Sequence, residues 1–72
     1  MEVGLFASLR EDRGRYATVE WFDAMDGYAL LRALDIKEDN VAIFLINGVR
    51  SDFSAVIKPD DVIALFPPVG GG

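Results

Sequence analysis

Read from its N-terminus, the chain first alternates: Val3, Leu5 and Ala7 fall on one face, Glu2, Gly4, Phe6 and Ser8 on the other. That period of two predicts a strand over residues 2–9. A charged, glycine-containing turn follows at residues 10–15. The aromatic and β-branched run at residues 16–22 (YATVEWF) predicts the returning strand of a hairpin. The period then lengthens. Ala29, Leu30, Leu31 and Leu34 recur at helical spacing within residues 23–36, with Arg32 and Asp35 on the wet side. Asp26 is the expected N-cap, because its carboxylate can accept the orphan N–H groups of a first turn. Gly27 weakens the helix locally, so a short one is expected. Residues 37–40 read as a polar loop. Residues 41–46 (VAIFLI) are apolar on both faces, which suits a central strand better than an edge. Asn47-Gly48 is a strong hairpin-turn signal. Val49 and Arg50 return as a brief strand, residues 51–56 are irregular, and Lys58-Pro59-Asp60-Asp61 is a second turn. The last strand, residues 62–66, is stopped by Pro67-Pro68, which withhold ladder donors.

Strand, strand, helix, strand, short strand, strand predicts an α+β domain, one mixed sheet packing one face on one main helix. The order fits a β-grasp with the first and last strands side by side in the centre, although the pattern alone permits other sheet orders. The expected division is a β-grasp domain at residues 1–67 and a flexible C-terminal glycine tail at residues 68–72.

Composition narrows the chemistry. Seventy-two residues, 51% of them hydrophobic, are enough for one small folded domain with one core. The chain has no Cys and no His. Those absences exclude a disulfide framework, a thiolate or imidazole metal site, a Cys or Ser–His nucleophile and a histidine proton shuttle. Twelve acidic residues against seven basic ones give a net charge of −5, which argues against a nucleic-acid partner and for basic docking surfaces on protein partners. No apolar run approaches the roughly 18 residues of a membrane span. The N-terminus lacks the pattern of a signal peptide, so the cytoplasm is the expected compartment.

The conspicuous feature is Phe66-Pro67-Pro68-Val69-Gly70-Gly71-Gly72. The prolines fix their φ angles and hold the chain extended as it leaves the last strand. The glycines then present a backbone able to enter a channel too narrow for any Cβ. From Pro68 to Gly72 the extended reach is about 17 Å. That is enough to deliver a carboxylate into another protein's active site while the body stays outside. A carboxylate becomes an acyl donor when its oxygen is made a leaving group, for instance by adenylation with ATP. The main-chain carbonyl of Gly72 would then carry the chemistry that the side chains lack.

The chain resembles the MoaD/ThiS family of ubiquitin-like sulfur carriers, which includes the small subunit of molybdopterin synthase and the thiamine-pathway carrier. The resemblance rests on Leu5-Phe6-Ala7-Ser8-Leu9-Arg10-Glu11, on Ile46-Asn47-Gly48 and on the stretch from Pro59-Asp60-Asp61 through Phe66-Pro67-Pro68-Val69 to the final glycines. It is closer to the molybdopterin branch, where Phe-Pro-Pro-Val before the glycines is typical. Gly70 departs from that branch, which more often has Ala there. The resemblance implies a β-grasp fold and a cycle in which an adenylating, E1-like enzyme uses ATP to convert Gly72 to an acyl-adenylate. A sulfur donor then replaces AMP to leave a thiocarboxylate. The molybdopterin synthase large subunit receives the tail, and sulfur passes to the pterin precursor. On this reading the chain is not an enzyme but a co-substrate and non-catalytic subunit, with no bound cofactor or metal, no nucleic-acid or membrane partner, and a monomeric free state.

Other residues carry weaker signals. Phe6, Phe44, Trp21 and Phe66 are candidates for an exposed apolar patch, with Phe6, Phe44 and Phe66 singled out for partner binding, because one helix covers only one sheet face. Asp60 and Asp61 resemble a carboxylate pair but read better as a solvated turn, as do Glu38 and Asp39. Arg10, Arg13 and Arg15 are interrupted by Glu11 and Asp12 and read as a solvated loop. A thiamine-type carrier, a ubiquitin-like modifier joined to lysines through Gly72, and a non-reactive β-grasp interaction domain stand as alternatives.

Overall fold

The computed structural model describes residues 1–68. The sheet has five strands: β1 (Glu2–Leu5), β2 (Tyr16–Thr18), β3 (Ile43–Ile46), β4 (Val49–Arg50) and β5 (Ile63–Phe66), in the order β2-β1-β5-β3-β4. One α-helix, α1 (Gly27–Leu34), crosses between the two hairpins in sequence. β1 and β5 pair in parallel and every other pairing is antiparallel. This is the β-grasp arrangement expected from the element order. The strand of residues 43–46 is interior as anticipated, while the middle position belongs to β5.

Register divides the sheet into two faces, because directly paired residues share a face. Val3 and Leu5 of β1, Ile63 and Leu65 of β5, and Phe44 of β3 point to one side. There they are buried with Ala29, Leu30 and Leu31 of α1 and with Met25 and Ile57 from the connections. Gly4, Ala64, Phe66, Ile43, Leu45 and Tyr16 belong to the other side, away from α1.

The local expectations hold at several points. Asp26 caps α1, its Oδ1 accepting the Ala29 N–H at 2.9 Å. Asn47 and Gly48 both have positive φ, 54° and 78°, the signature of the tight turn whose twist matches a hairpin. Other elements are shorter than expected. β1 stops at Leu5, and the segment to Leu9 forms a 3₁₀ turn (Ala7–Arg10) instead of continuing the strand. Leu9 is still buried, because a residue four after Leu5 can reach the same side by curling as well as by alternating. β2 ends at Thr18, and the chain beyond is held by reciprocal Met1–Val19 bonds and by the Trp21 indole N–H, which donates to the Ile57 carbonyl at 2.9 Å. Residues 38–40, expected as loop, form a second 3₁₀ turn (Glu38–Asn40).

Gly27 has a different role from the one its helix propensity suggests. A Cβ there would stand 2.8 Å from Phe44 Cε2 and from Phe53 Cα and O. Glycine lets the first turn of α1 press directly on the 53 backbone, whose carbonyl accepts the Tyr28 N–H at 3.2 Å.

Candidate functional site

β5 has two very different ends. At its entry, Asp61 and Asn47 tie the lead-in to the β3–β4 turn. The Asn47 amide donates to Asp61 Oδ1 at 2.8 Å, its Oδ1 accepts the Val62 N–H at 2.8 Å, and Asp61 Oδ2 accepts the Lys58 N–H at 2.8 Å. The Lys58 N–H bond, then the Asn47 bond, hold the Asp61 carboxyl below its ordinary range, with desolvation opposing and the Lys58 charge assisting. This carboxylate is committed to a turn, and Asp60 beside it is exposed. Asp61 is structural and Asp60 is solvated, as expected of a turn.

At the exit, Phe66 is half-buried and its ring stacks on Phe6 with centroids 4.2 Å apart and planes 8° from parallel. The Arg10 guanidinium lies 5.0 Å from the Phe6 ring centre, and its Nε donates to the Leu5 carbonyl at 2.6 Å. The Phe66 carbonyl accepts the Ala42 N–H at 2.8 Å, after which Pro67, half-buried, and Pro68, exposed, leave the ladder. Their departure borders an open apolar groove of about 370 Å³, lined by Ala7, Ser8, Ala42, Ile43, Phe66, Pro67 and Pro68.

Among the residues singled out from sequence, Phe6, Phe66, Pro67 and Pro68 are gathered at this exit. Val69, Gly70, Gly71 and Gly72 lie outside the described residues. Phe44 is a correction. It is 2% exposed, faces α1 and stacks on Phe53 at 5.4 Å, so no partner reaches it. Its place in the sequence could not reveal this, since residues 41–46 are apolar on both faces and only register assigns each one. Ala42 and Ile43 line the groove without having been singled out from sequence, and Arg10, expected in a solvated loop, lies over Phe6 instead. For Ile43 the signal was present in that two-faced apolarity. For Arg10 there was none, because its return over Phe6 depends on a turn at Ala7. Among the described residues no three carboxylates gather into a metal-binding group, and no helix is long and apolar enough to cross a membrane.

A mixed β-grasp sheet over one helix, with an extended root leaving its central strand, defines a small ubiquitin-like protein. A family model, the ThiS family, matches residues 3–72, and the chain belongs to that family of ubiquitin-like sulfur carriers. Such carriers are generally non-catalytic and generally work with E1-like adenylating enzymes. Among solved structures the chain is similar to SAMP1 from Haloferax volcanii, with 29% identity and a TM-score of 0.78 over 99% of this chain and 97% of that one. No curated protein sequence matches it.

Proposed function

We propose that this chain is the sulfur carrier of molybdopterin biosynthesis, acting in the cytoplasm as the small subunit of molybdopterin synthase. The observation that carries the reading is the exit of β5. The central strand ends in a ring stack and two prolines beside an open groove, and leads directly into Val69-Gly70-Gly71-Gly72. The Phe66-Pro67-Pro68-Val69 motif supports the molybdopterin branch over the thiamine branch.

The Gly72 carboxylate attacks the α-phosphorus of ATP in the adenylating enzyme, forming an acyl-adenylate and releasing pyrophosphate. Sulfide (HS⁻) delivered by the sulfur donor then attacks the carbonyl carbon and AMP leaves, giving a thiocarboxylate. In the large synthase subunit the thiocarboxylate sulfur bonds to the pterin precursor, and water hydrolyses the resulting thioester, leaving sulfur on the pterin and restoring the Gly72 carboxylate. ATP and the catalytic side chains belong to those partners, and the free carrier is a monomer that binds no cofactor.

A second reading, a ubiquitin-like modifier, draws on the likeness to SAMP1. The same activated carbonyl would acylate a lysine amine instead of accepting sulfur. Intact mass of the chain from its native cell, together with whatever co-purifies, separates the two. An oxygen-to-sulfur exchange at Gly72 and a pterin-binding large subunit support the carrier. A thiazole-forming partner supports the thiamine branch, and lysine conjugates support the modifier. An unmodified tail under all conditions supports an inert domain. Deleting Gly71 and Gly72 is expected to leave the unfolding midpoint unchanged and to abolish sulfur transfer; retained transfer refutes the proposal.

A further inference from the structure

At the exit of β5 the hydrogen-bond ladder runs out before the chain does. After the Phe66 carbonyl has accepted the Ala42 N–H, Pro67 and Pro68 have no N–H to give. From there the course of the chain depends on two ring-fixed φ angles and on how firmly Phe66 is held. A column of planar groups holds it. Phe66 stacks on Phe6 at 4.2 Å, and the Arg10 guanidinium lies over the Phe6 ring, 5.0 Å from its centroid. Each layer has its own backbone anchor: Phe6 N–H on the Leu65 carbonyl at 3.2 Å, and Arg10 Nε on the Leu5 carbonyl at 2.6 Å.

The chain is bent to build this column. Ala7 has φ 51°, in the left-handed region that penalises a residue with a Cβ. That strained residue ends the β1 extension and starts the 3₁₀ turn that carries Arg10 back over Phe6. Strain of this kind persists where the surrounding structure demands it.

We propose that Arg10 is a positioning residue for the activation of Gly72. Acting through Phe6 and Phe66, it fixes the direction in which Pro67 and Pro68 leave the sheet. The proposal rests on the reading of the chain as a carrier activated at Gly72. Docking of the body on the adenylating enzyme and threading of the tail are separable events, and a root ordered beforehand removes part of the ordering cost from the second. Arg10 therefore acts on kcat of adenylation, with KM for the carrier governed by docking of the body.

The test compares Arg10→Gln, which keeps a donor for the Leu5 carbonyl but loses the charge, with Arg10→Lys, which keeps the charge. ATP-dependent adenylation is measured on the full chain with the adenylating enzyme of its own cell. Arg10→Gln is expected to lower kcat about two- to fivefold, the weight of one cation–π contact at a partly exposed site, with KM unchanged and Lys restoring most of the loss. In parallel, ¹³C relaxation at the Pro67 and Pro68 α-carbons of the free chain should show larger amplitudes in Arg10→Gln and recovery in Arg10→Lys. A rise in KM at constant kcat would make Arg10 a docking contact. A fall in the unfolding midpoint with kcat unchanged would make it merely structural. Either result, or unchanged relaxation at the two prolines, overturns the proposal. If the wild-type chain is not adenylated at all, the carrier reading fails, and the relaxation comparison still decides whether the column orders the root.

Discussion

Phe44 and Phe66 sit on neighbouring strands of one sheet, each stacked on another phenylalanine, yet they do opposite work. Phe44 points under α1, is closed off from water and meets Phe53. Phe66 points to the side away from α1, stays half-exposed and meets Phe6 at the root of the tail. The covered face spends its apolar area on folding. The open face keeps part of its apolar area wet, and that area is what remains to be buried against another protein. The same residue type thus marks stability on one side and availability on the other.

The sharpest way to break this contrast is to truncate both rings. Phe44→Ala is expected to cost about 3–5 kcal/mol of folding stability, as for other large core truncations. Phe66→Ala should cost only about 1–2 kcal/mol, from a half-buried ring and one aromatic pair. Urea unfolding followed by Trp21 fluorescence measures both, and equal losses would erase the distinction between the faces. A smaller effect is expected at Gly27, again on the covered side. Alanine gains about 1 kcal/mol of helix propensity, but its Cβ would meet the Phe53 backbone at 2.8 Å. Overpacking of that kind costs about 1–3 kcal/mol, so Gly27→Ala should destabilise on balance. A higher urea midpoint would show that the contact relaxes freely.

The smallest effect concerns the polar entry of β5. The Asp61 pKa is lowered from 3.8 in the folded chain, chiefly by the Lys58 N–H and the Asn47 amide. Its stabilising contribution is therefore fully present above about pH 4 and is lost as pH falls through the depressed folded value. Asp61→Asn should flatten the decline of the urea midpoint below pH 4. An unchanged acid profile would mean that other carboxylates carry it.

How far these features could be read from sequence depends on whether they are local. Asp26 and Asn47-Gly48 act within a few residues, so their roles were legible and the structure places them as expected. The observed strand order is the β-grasp one that the pattern of elements fits, although that pattern alone permits others. The short helix expected around Gly27 is found, but the packing reason for a glycine there lies at Phe53, twenty-six positions along the chain. Phe44 was assigned to the wrong face because a strand flanked on both sides shows no alternation to betray its register. Arg10 was hidden for a related reason: nothing in a charged loop announces that Ala7 will turn the backbone and fold a guanidinium onto a ring.

The strand at the middle of the sheet is also the last of the five in sequence. During synthesis the β1–β2 and β3–β4 hairpins emerge with no partner between them, and neither can join the other until residues 63–66 leave the ribosome. Closure of the five-stranded sheet therefore waits for its last-made strand, and both hairpins gain their second neighbour in that one late step.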